Sequence, residues 1–217
     1  MKPILYDADR TSFPAGVDNG MGVLADAMSC KVTQELNGQY ELELHYPVEG
    51  IHYGEIALRA ILRATVGPDG KMQPFRVYRI VPGMNGTAAI YARHIAYDLG
   101  GYVVSPFTVA DAPSAVAAIK SHAMPTSFPF ALTTDKTTVA TMSVTVPSSA
   151  WGLLGGRQGS LLDVYGGEYE FDEWSVRLLT RRGADRGVSV RYGKNLTDLT
   201  QDASCANCYT GVVPYWR

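Results

Sequence analysis

Five carboxylates are clustered in one short segment of this 217-residue chain: Asp163, Glu168, Glu170, Asp172 and Glu173. Two carboxylates held at a fixed separation form the acid and base pair of glycoside hydrolases, so this segment is a candidate for catalysis. A second interpretation comes from strand geometry, in which alternate side chains face opposite sides. The acids at 168, 170 and 172 then form a solvated face opposite Tyr169, Phe171 and Trp174, and we favour this interpretation.

Cysteine spacing is the second feature with possible chemistry. Cys205 and Cys208 have the CxxC spacing of half a zinc site or of a redox pair, and the third cysteine is Cys30. A zinc site needs two further ligands. The histidines offer neither an HxxxH motif nor another paired arrangement: His45, His52, His94 and His122. We therefore expect no metal and no cofactor, and we interpret the cysteines as incidental thiols.

Three further motifs could support an enzyme and none is complete. The glycine-rich stretch LLGGRQGS at residues 153–160 lacks the GK[ST] ending of a phosphate loop. Ser149 and Ser160 lack the GxSxG context of a nucleophile elbow. His94 lies between apolar residues, where a hydrogen-bonded structural histidine is more common than a base. The sequence therefore predicts that the protein is not an enzyme and has no catalytic, cofactor-binding or metal-binding residue.

Composition limits the class of protein. The chain is 46% hydrophobic and 18% charged, which is enough apolar material for a folded core. Its net charge of -2 gives no general attraction to nucleic acid or to anionic lipid. The amino terminus, MKPILYDADR, has no apolar core of signal-peptide length, and no window reaches the roughly 18 apolar residues of a membrane span. We expect a soluble protein without an export signal.

The predicted secondary structure that positions these residues changes near residue 97, from strands alone to a mixture of helices and strands. Up to that point the pattern predicts five or six short strands, which indicate an antiparallel β-barrel over residues 1–97. The clearest signal is Asn37-Gly38, flanked by alternating runs, which predicts a hairpin with a type I′ turn. In the second strand of this hairpin one face is apolar: Tyr40, Leu42, Leu44 and Tyr46.

Residues 98–203 are predicted to form an α+β domain in which a helix packs on an antiparallel sheet, so that the chain as a whole is mainly β. Its helix spans 111–123, with Asp111 as the amino-terminal cap and Pro113 in the first turn. A threonine-rich strand pair around Asp135 and a short helix follow. Gly166-Gly167 is predicted as the hinge from that helix to a strand over 168–180, which the turn RRGADRG joins to a strand over 187–195. Residues 204–217 are interpreted as the start of a further barrel strand or a tail.

Two stretches carry a family likeness: YARHIAYDL at residues 91–99, and GSLLDVYGGEYEFDEWSVRLLTRRGADRGVSVRYGKNLTDL at residues 159–199. The chain resembles the amino-terminal region of phage minor structural proteins, the siphophage tail-tip or prophage endopeptidase tail family. These proteins are similar to the hub of a phage baseplate. The CANC segment at residues 205–208 is not part of the family pattern.

The resemblance implies a structural virion component at the tail tip, made in the cytoplasm of the bacterial host. It implies a first hub barrel at 1–97, a hub insert domain at 98–203, and a second barrel with a lytic or host-binding region in longer members. It also implies a homotrimer in the full-length protein, with distal tail and tape-measure proteins as partners. We expect no nucleic-acid readout, no membrane contact, and a monomeric or weakly associated 217-residue form.

Two other functions stay open at this point. A cell-wall hydrolase is suggested by the acid cluster and by the family's name. A carbohydrate-binding module is suggested by aromatic residues that include Trp151, Trp174 and Trp216. The strand pattern places Trp174 on a packed side, which argues against a sugar stacked on that residue.

Overall fold

The structure is a computed structural model, and it describes most of the chain: residues 2–14, 18–67, 70–183, 187, 189, 191–194 and 198. The chain divides into two units, residues 1–182 and residues 183–217. Positions 188, 190 and 195 of the strand predicted over 187–195 lie outside the described residues, and its described positions form no strand beyond a single bridge residue at Tyr192. The whole tail at 204–217, with Cys205, Cys208 and Trp216, lies outside the described residues. Within the described part, no helix is long and apolar enough to cross a membrane.

A seven-stranded antiparallel sheet forms the amino-terminal half, in the order β2-β1-β5-β6-β7-β4-β3. Its strands are β1 (Ile4–Tyr6), β2 (Gly22–Val23), β3 (Ser29–Gln34), β4 (Tyr40–Pro47), β5 (Ile61–Val66), β6 (Lys71–Pro82) and β7 (Thr87–His94). Short 3₁₀ helices follow at Tyr53–Glu55 and Ile95–Gly101. The predicted apolar face of β4 is confirmed, because Tyr40, Leu42, Leu44 and Tyr46 are all buried.

The predicted antiparallel β-barrel is confirmed only in part, because the sheet curls into a half-barrel whose edge strands β2 and β3 do not pair within the described residues. The five residues Leu24–Met28 run from one edge to the other. At a reach of at most about 3.6 Å per residue they hold the ends of the two edges within roughly 20 Å. Since β2 has only two residues, it offers too little backbone to complete a ladder with β3.

The predicted hairpin between β3 and β4 is present, but its type I′ turn is not. That turn needs positive φ at both central residues. Here Asn37 has φ 55°, whereas Gly38 is not among the residues of positive φ. The loop is instead closed by a hydrogen bond from the Glu35 amide to the Gln39 carbonyl at 2.7 Å. The loop is thus longer than a two-residue turn, and Asn37 lies at its tip.

The second half is built from one longer helix, two short helices and small sheets. The first elements are β8 (Val103–Val104), β9 (Phe107–Asp111), α1 (Ala112–Ser121), β10 (Ala123–Met124), β11 (Ala131–Thr134) and β12 (Val139–Val144). They are followed by β13 (Ser148–Ser149), α2 (Ala150–Leu154), α3 (Leu161–Tyr165), β14 (Glu168–Asp172) and β15 (Ser175–Leu179). The sheets have the orders β10-β8-β13, β11-β15-β14 and β12-β9.

Three sequence predictions for this half need correction. The threonine-rich strands β11 and β12 do not pair with each other, since β12 joins β9 and β11 joins β15 in parallel. The sheet behind the helix is therefore mixed rather than antiparallel. The strand predicted over 168–180 is broken at Glu173, whose φ of 51° turns the chain into the β14–β15 hairpin.

Local signals for helix ends are confirmed. The Asp111 carboxylate accepts a hydrogen bond from the Ser114 amide at 2.8 Å and caps α1, and this bond lowers the pKa of Asp111. Gly166 and Gly167, with φ 62° and 113°, form the predicted hinge between α3 and β14. A Cβ on Gly167 would lie 2.6 Å from the Leu179 carbonyl oxygen, so only glycine fits there.

Two hydrophobic clusters are buried within residues 1–182. One is formed by the half-barrel, with members between Leu5 and Ala92. The other is centred on α1 and β15 and also includes Tyr6 and Ile61 from the half-barrel. The predicted domain boundaries at residues 97 and 203 stay predictions.

Candidate functional site

The acid run is the first candidate site, and its carboxylates are all engaged with different partners. On β14, Glu168 accepts from the Arg182 amide at 2.6 Å, and Glu170 binds the Arg177 guanidinium at 2.6 Å. At the amino terminus of α3, Asp163 accepts from the Gly159 amide at 2.7 Å. Each contact belongs to the fold of the second half.

The last two acids bind the half-barrel. Glu173 pairs with Arg63 of β5 at 2.8 Å. Asp172 binds Lys71 and accepts from Gln73 Nε2 at 2.8 Å, both on β6. Burial alone would raise the pKa of Asp172, but the hydrogen bonds from Lys71 and Gln73 lower it. A general acid needs a raised pKa, so Asp172 does not have the electrostatics of one.

His94 is a buried structural histidine, as its sequence context predicts. Its Nδ1 accepts a hydrogen bond from the Ala96 amide at 3.2 Å, which leaves the proton on Nε2 to donate to Gln73 Oε1 at 3.1 Å. The ring stacks on Tyr40 with centroids 4.5 Å apart. Burial lowers the pKa of His94 to about 3, so the ring is neutral at pH 7.

Gln73 connects His94 to the β14–β15 hairpin. Its Oε1 also accepts from the Glu173 amide at 2.8 Å, while its Nε2 donates to Asp172. Gln73 is 3% exposed, so every polar atom of its amide needs a partner. A continuous hydrogen-bonded path therefore runs from the half-barrel core to the turn of the acid run.

Asn37 makes a second connection between the halves. From the tip of the β3–β4 hairpin, its Nδ2 donates to the Gly167 carbonyl at 2.9 Å. Its Oδ1 accepts from the Tyr169 amide at 2.8 Å. The side chain thus satisfies both backbone groups at the glycine hinge, as an additional strand would.

Sequence reasoning placed the acids on a strand face but missed Asn37, Gln73 and Arg63 as their neighbours. One signal was available, because strand alternation places the polar Gln73 on the same face as the apolar Phe75 and Val77. A buried polar side chain on such a face indicates a specific partner. Nothing local signals Arg63, whose partner lies 110 residues later.

The other sequence candidates have structural roles in the described residues. The hydroxyls of Ser149 and Ser160 accept from the Gly152 and Asp163 amides and cap α2 and α3. Cys30 lies half-buried on β3, and burial raises the pKa of its thiol. Among the residues that the structure describes, no group of three His, Cys, Asp or Glu side chains could hold a metal ion.

An aromatic cleft of about 260 Å³ lies beside the Asn37 contact. Trp151 stacks on Tyr97 with centroids 4.3 Å apart, and Phe171 and Tyr169 continue the aromatic lining. Trp174 lies elsewhere: it is 8% exposed and its ring contacts Phe13 at 5.4 Å. Trp151 therefore lines this cleft and Trp174 does not, while Trp216 lies outside the described residues.

The open edge of β3 is the candidate assembly site. Glu35 donates to Gln39, and hydrogen-bonded pairs alternate along an antiparallel ladder. The backbone groups of Cys30, Val32 and Gln34 therefore point away from β4. A six-residue edge of this kind is able to pair with a strand of another chain.

Comparisons with known proteins bear on the fold. No family model matches the sequence, and no curated protein matches it. Among solved structures, the prophage tail protein gp18 from Listeria monocytogenes EGD-e superposes with a TM-score of 0.54 at 13% sequence identity. The match covers 82% of this chain and 50% of that one, so the chain spans half the length of the protein it matches. The chain therefore has a fold similar to that of a phage tail protein.

Proposed function

We propose that this protein is a structural component of a phage or prophage tail. The observation that carries the proposal is the likeness of its fold to a prophage tail protein over 82% of the chain. The sequence resemblance to tail-tip proteins in residues 91–99 and 159–199 supports the same class independently. Its location is then the virion tail tip, after synthesis in the host cytoplasm.

The finer proposal is a baseplate-hub role, in which the chain links the tail tube to host-recognition or lytic parts. The half-barrel is suited to a ring, because closed cyclic assembly joins two different surfaces of neighbouring subunits. The exposed edge of β3 supplies one such surface. In the full-length protein we propose a homotrimer that contacts the distal tail and tape-measure proteins.

We also propose that the chain is not an enzyme. Each carboxylate of the acid run has a hydrogen-bond or ion-pair partner within the fold. Purified protein should therefore release no fragments from peptidoglycan above background. Hydrolysis that disappeared in Glu168→Gln or Asp172→Asn would overturn this part of the proposal.

The tail role is tested by locating the protein in virions. After induction of the prophage that encodes it, gold-labelled antibody should mark the tail end distal to the capsid in electron micrographs. Deletion of the gene should yield particles with incomplete tails. Absence of the protein from purified virions, or labelling of capsids, would contradict the proposal.

Assembly is tested by light scattering on two forms of the protein. We expect the 217-residue form to be monomeric or weakly associated, and specific association needs an interface of roughly 1,000 Å² or more. The longer protein should be a trimer. A monomeric longer protein would contradict the hub role while leaving a tail role in place.

A carbohydrate-binding module is the second candidate, and the aromatic cleft is the observation that favours it. Stacked aromatic side chains offer flat apolar surfaces to a ligand, and the cleft is close to the size of small-molecule sites. Soluble wall glycans should then shift the indole signal of Trp151 in NMR spectra, and Trp151→Ala should abolish binding. Unchanged spectra would remove this candidate.

A further inference from the structure

A cleft of about 390 Å³ lies where the 56–60 loop, β6, β7 and the 3₁₀ helix Ile95–Gly101 meet. Its walls carry Arg59, Arg76 and Arg93 but a single carboxylate, that of Asp98. Because the Glu41 carboxylate pairs with Arg93, three guanidiniums face two carboxylates and leave an excess of one positive charge in a chain whose net charge is -2. Local charge is thus opposite in sign to that of the whole chain.

The backbone around this cleft departs from regular strand geometry in two places. Pairing of β6 with β7 shifts between Val77 and Arg79, so Tyr78 lies in a β-bulge and its side chain is 42% exposed. Arg59 has φ 73°, and its amide donates to the Val77 carbonyl at 2.8 Å. Bulges redirect side chains, and left-handed non-glycine residues cost free energy, so both features are common at functional surfaces.

The arginines of the cleft differ in how they are engaged. Arg76 binds Asp98 at 2.6 Å and donates to the Arg59 carbonyl at 2.7 Å, so it is part of the wall. The Arg93 guanidinium lies 4.5 Å from the Tyr78 ring centroid and donates through Nε to Glu41 at 2.9 Å. Arg59 is exposed and has no ion pair within the described residues.

We propose that this cleft, named here the arginine cleft, is a docking site for a protein partner that presents a carboxylate next to an apolar side chain. The carboxylate of the partner would bind Arg59 and the outer edge of Arg93. Its apolar side chain would cover Tyr78 and Leu58, which is 60% exposed. Arginine and tyrosine side chains dominate the binding energy of protein interfaces.

Charge distribution favours a peptide over an extended polyanion such as nucleic acid. Arg76 and Arg93 already bind carboxylates of their own chain, so few donors are left for a series of phosphates. Beyond the cleft, the net charge of -2 repels the rest of a polyanion. The excess charge matches one carboxylate. This inference does not depend on the proposed tail role.

The test begins with selection from a random displayed peptide library against the purified protein. Peptides that bind should be enriched in Asp or Glu next to Leu, Phe or Tyr. Fluorescence anisotropy of an enriched peptide should show binding at least about tenfold weaker to Arg59→Asn and to Tyr78→Ser. Asparagine tolerates the left-handed conformation at residue 59, so that variant keeps the loop.

Lys31→Gln is the matched control, because it removes one exposed positive charge from β3, outside the arginine cleft. Its affinity for the peptide should equal that of the unmodified protein. The proposal is overturned if the selected peptides lack acidic residues or bind the Arg59 and Tyr78 variants equally well. Tighter binding of single-stranded DNA than of the peptide, or an oligomer that Tyr78→Ser dissociates, would also overturn it.

Discussion

The half-barrel and the second half differ in the direction of their paired strands. Every described pairing in the half-barrel is antiparallel, both between sequence neighbours such as β3 and β4 and between distant strands such as β4 and β7. In the second half, β11 pairs in parallel with β15, whose residues come 44 positions later. A hairpin forms from local signals, whereas a parallel pair needs a long connection and therefore depends on more of the fold.

The contacts between the two halves combine packing with directional hydrogen bonds. Phe171 packs against both hydrophobic clusters, which is a contact that many apolar side chains could replace. The amides of Asn37 and Gln73 instead reach specific backbone atoms of the opposite half. Apolar burial therefore holds the two halves together, while the side-chain amides of a few residues determine how the acid run is positioned.

The largest effect is expected at the glycine hinge. Gly167→Ala should lower the free energy of unfolding by about 3 kcal/mol, because its Cβ would collide with the Leu179 carbonyl and φ is 113°. Urea denaturation measures the change. Gly100→Ala is the control, since no atom lies within 4 Å of its added Cβ, and it should shift stability by less than about 0.5 kcal/mol. Equal effects of the two would show that the hinge is not constrained.

Acid should destabilise the half-barrel through His94. Burial lowers its folded pKa to about 3, against about 6.5 for an exposed histidine. Between these values the unfolded chain binds a proton that the folded chain does not, so stability falls as pH drops below about 6.5. At about pH 4.5 the loss reaches roughly 2 to 3 kcal/mol.

Denaturation across this pH range should show a shallower slope in His94→Gln, from a lower starting stability. An unchanged slope in His94→Gln would mean that carboxylates alone cause the acid sensitivity.

A smaller effect is expected at the hairpin tip. Asn37→Gly keeps the left-handed conformation and removes the hydrogen bonds to Gly167 and Tyr169, so it should cost about 1 to 2 kcal/mol. Asn85→Gly, which removes one local bond to the Thr87 amide, should cost less. Thermal unfolding of both variants compares them, and a larger loss at Asn85 would contradict the role of Asn37.

The smallest effect belongs to the exposed ion pair on the β14–β15 hairpin. Glu170→Gln should change stability by less than about 1 kcal/mol, because both side chains of the pair are solvated. The difference in free energy of unfolding between Glu170→Gln and the unmodified protein should be smaller at high salt than at low salt. A loss of several kcal/mol would mean that the acid run contributes more than a solvated face.

Much of the fold follows from local sequence signals. The buried face of β4, the Asp111 cap and the glycine hinge each depend on residues within one or two turns of chain. A barrel was predicted where a half-barrel forms, because strand alternation does not reveal that the edge strand β2 has only two residues. The parallel pairing of β11 was not predicted, because a threonine-rich strand carries no pattern that specifies its partner strand or the direction of pairing.

The candidate site was predictable only in part. Strand alternation placed the acids at 168, 170 and 172 on one face, but a solvated face was expected, whereas all three are half-buried and paired within the fold. Their partners Arg63 and Gln73 come about a hundred residues earlier, where no pattern links them to the acid run. The arginine cleft depends on a β-bulge and a left-handed Arg59, which periodicity does not reveal.

The contact of Asn37 with Tyr169 has a consequence for the order of events during translation. The two residues are separated by 132 positions, so the tip of the first hairpin leaves the ribosome long before its partner is synthesised. The half-barrel strands are complete at His94, well ahead of β14. A nascent chain paused between these points lacks the partners of Asn37 and Gln73 and the second-half residues that cover Tyr6 and Ile61, so general chaperones that bind apolar segments should engage it there rather than after release.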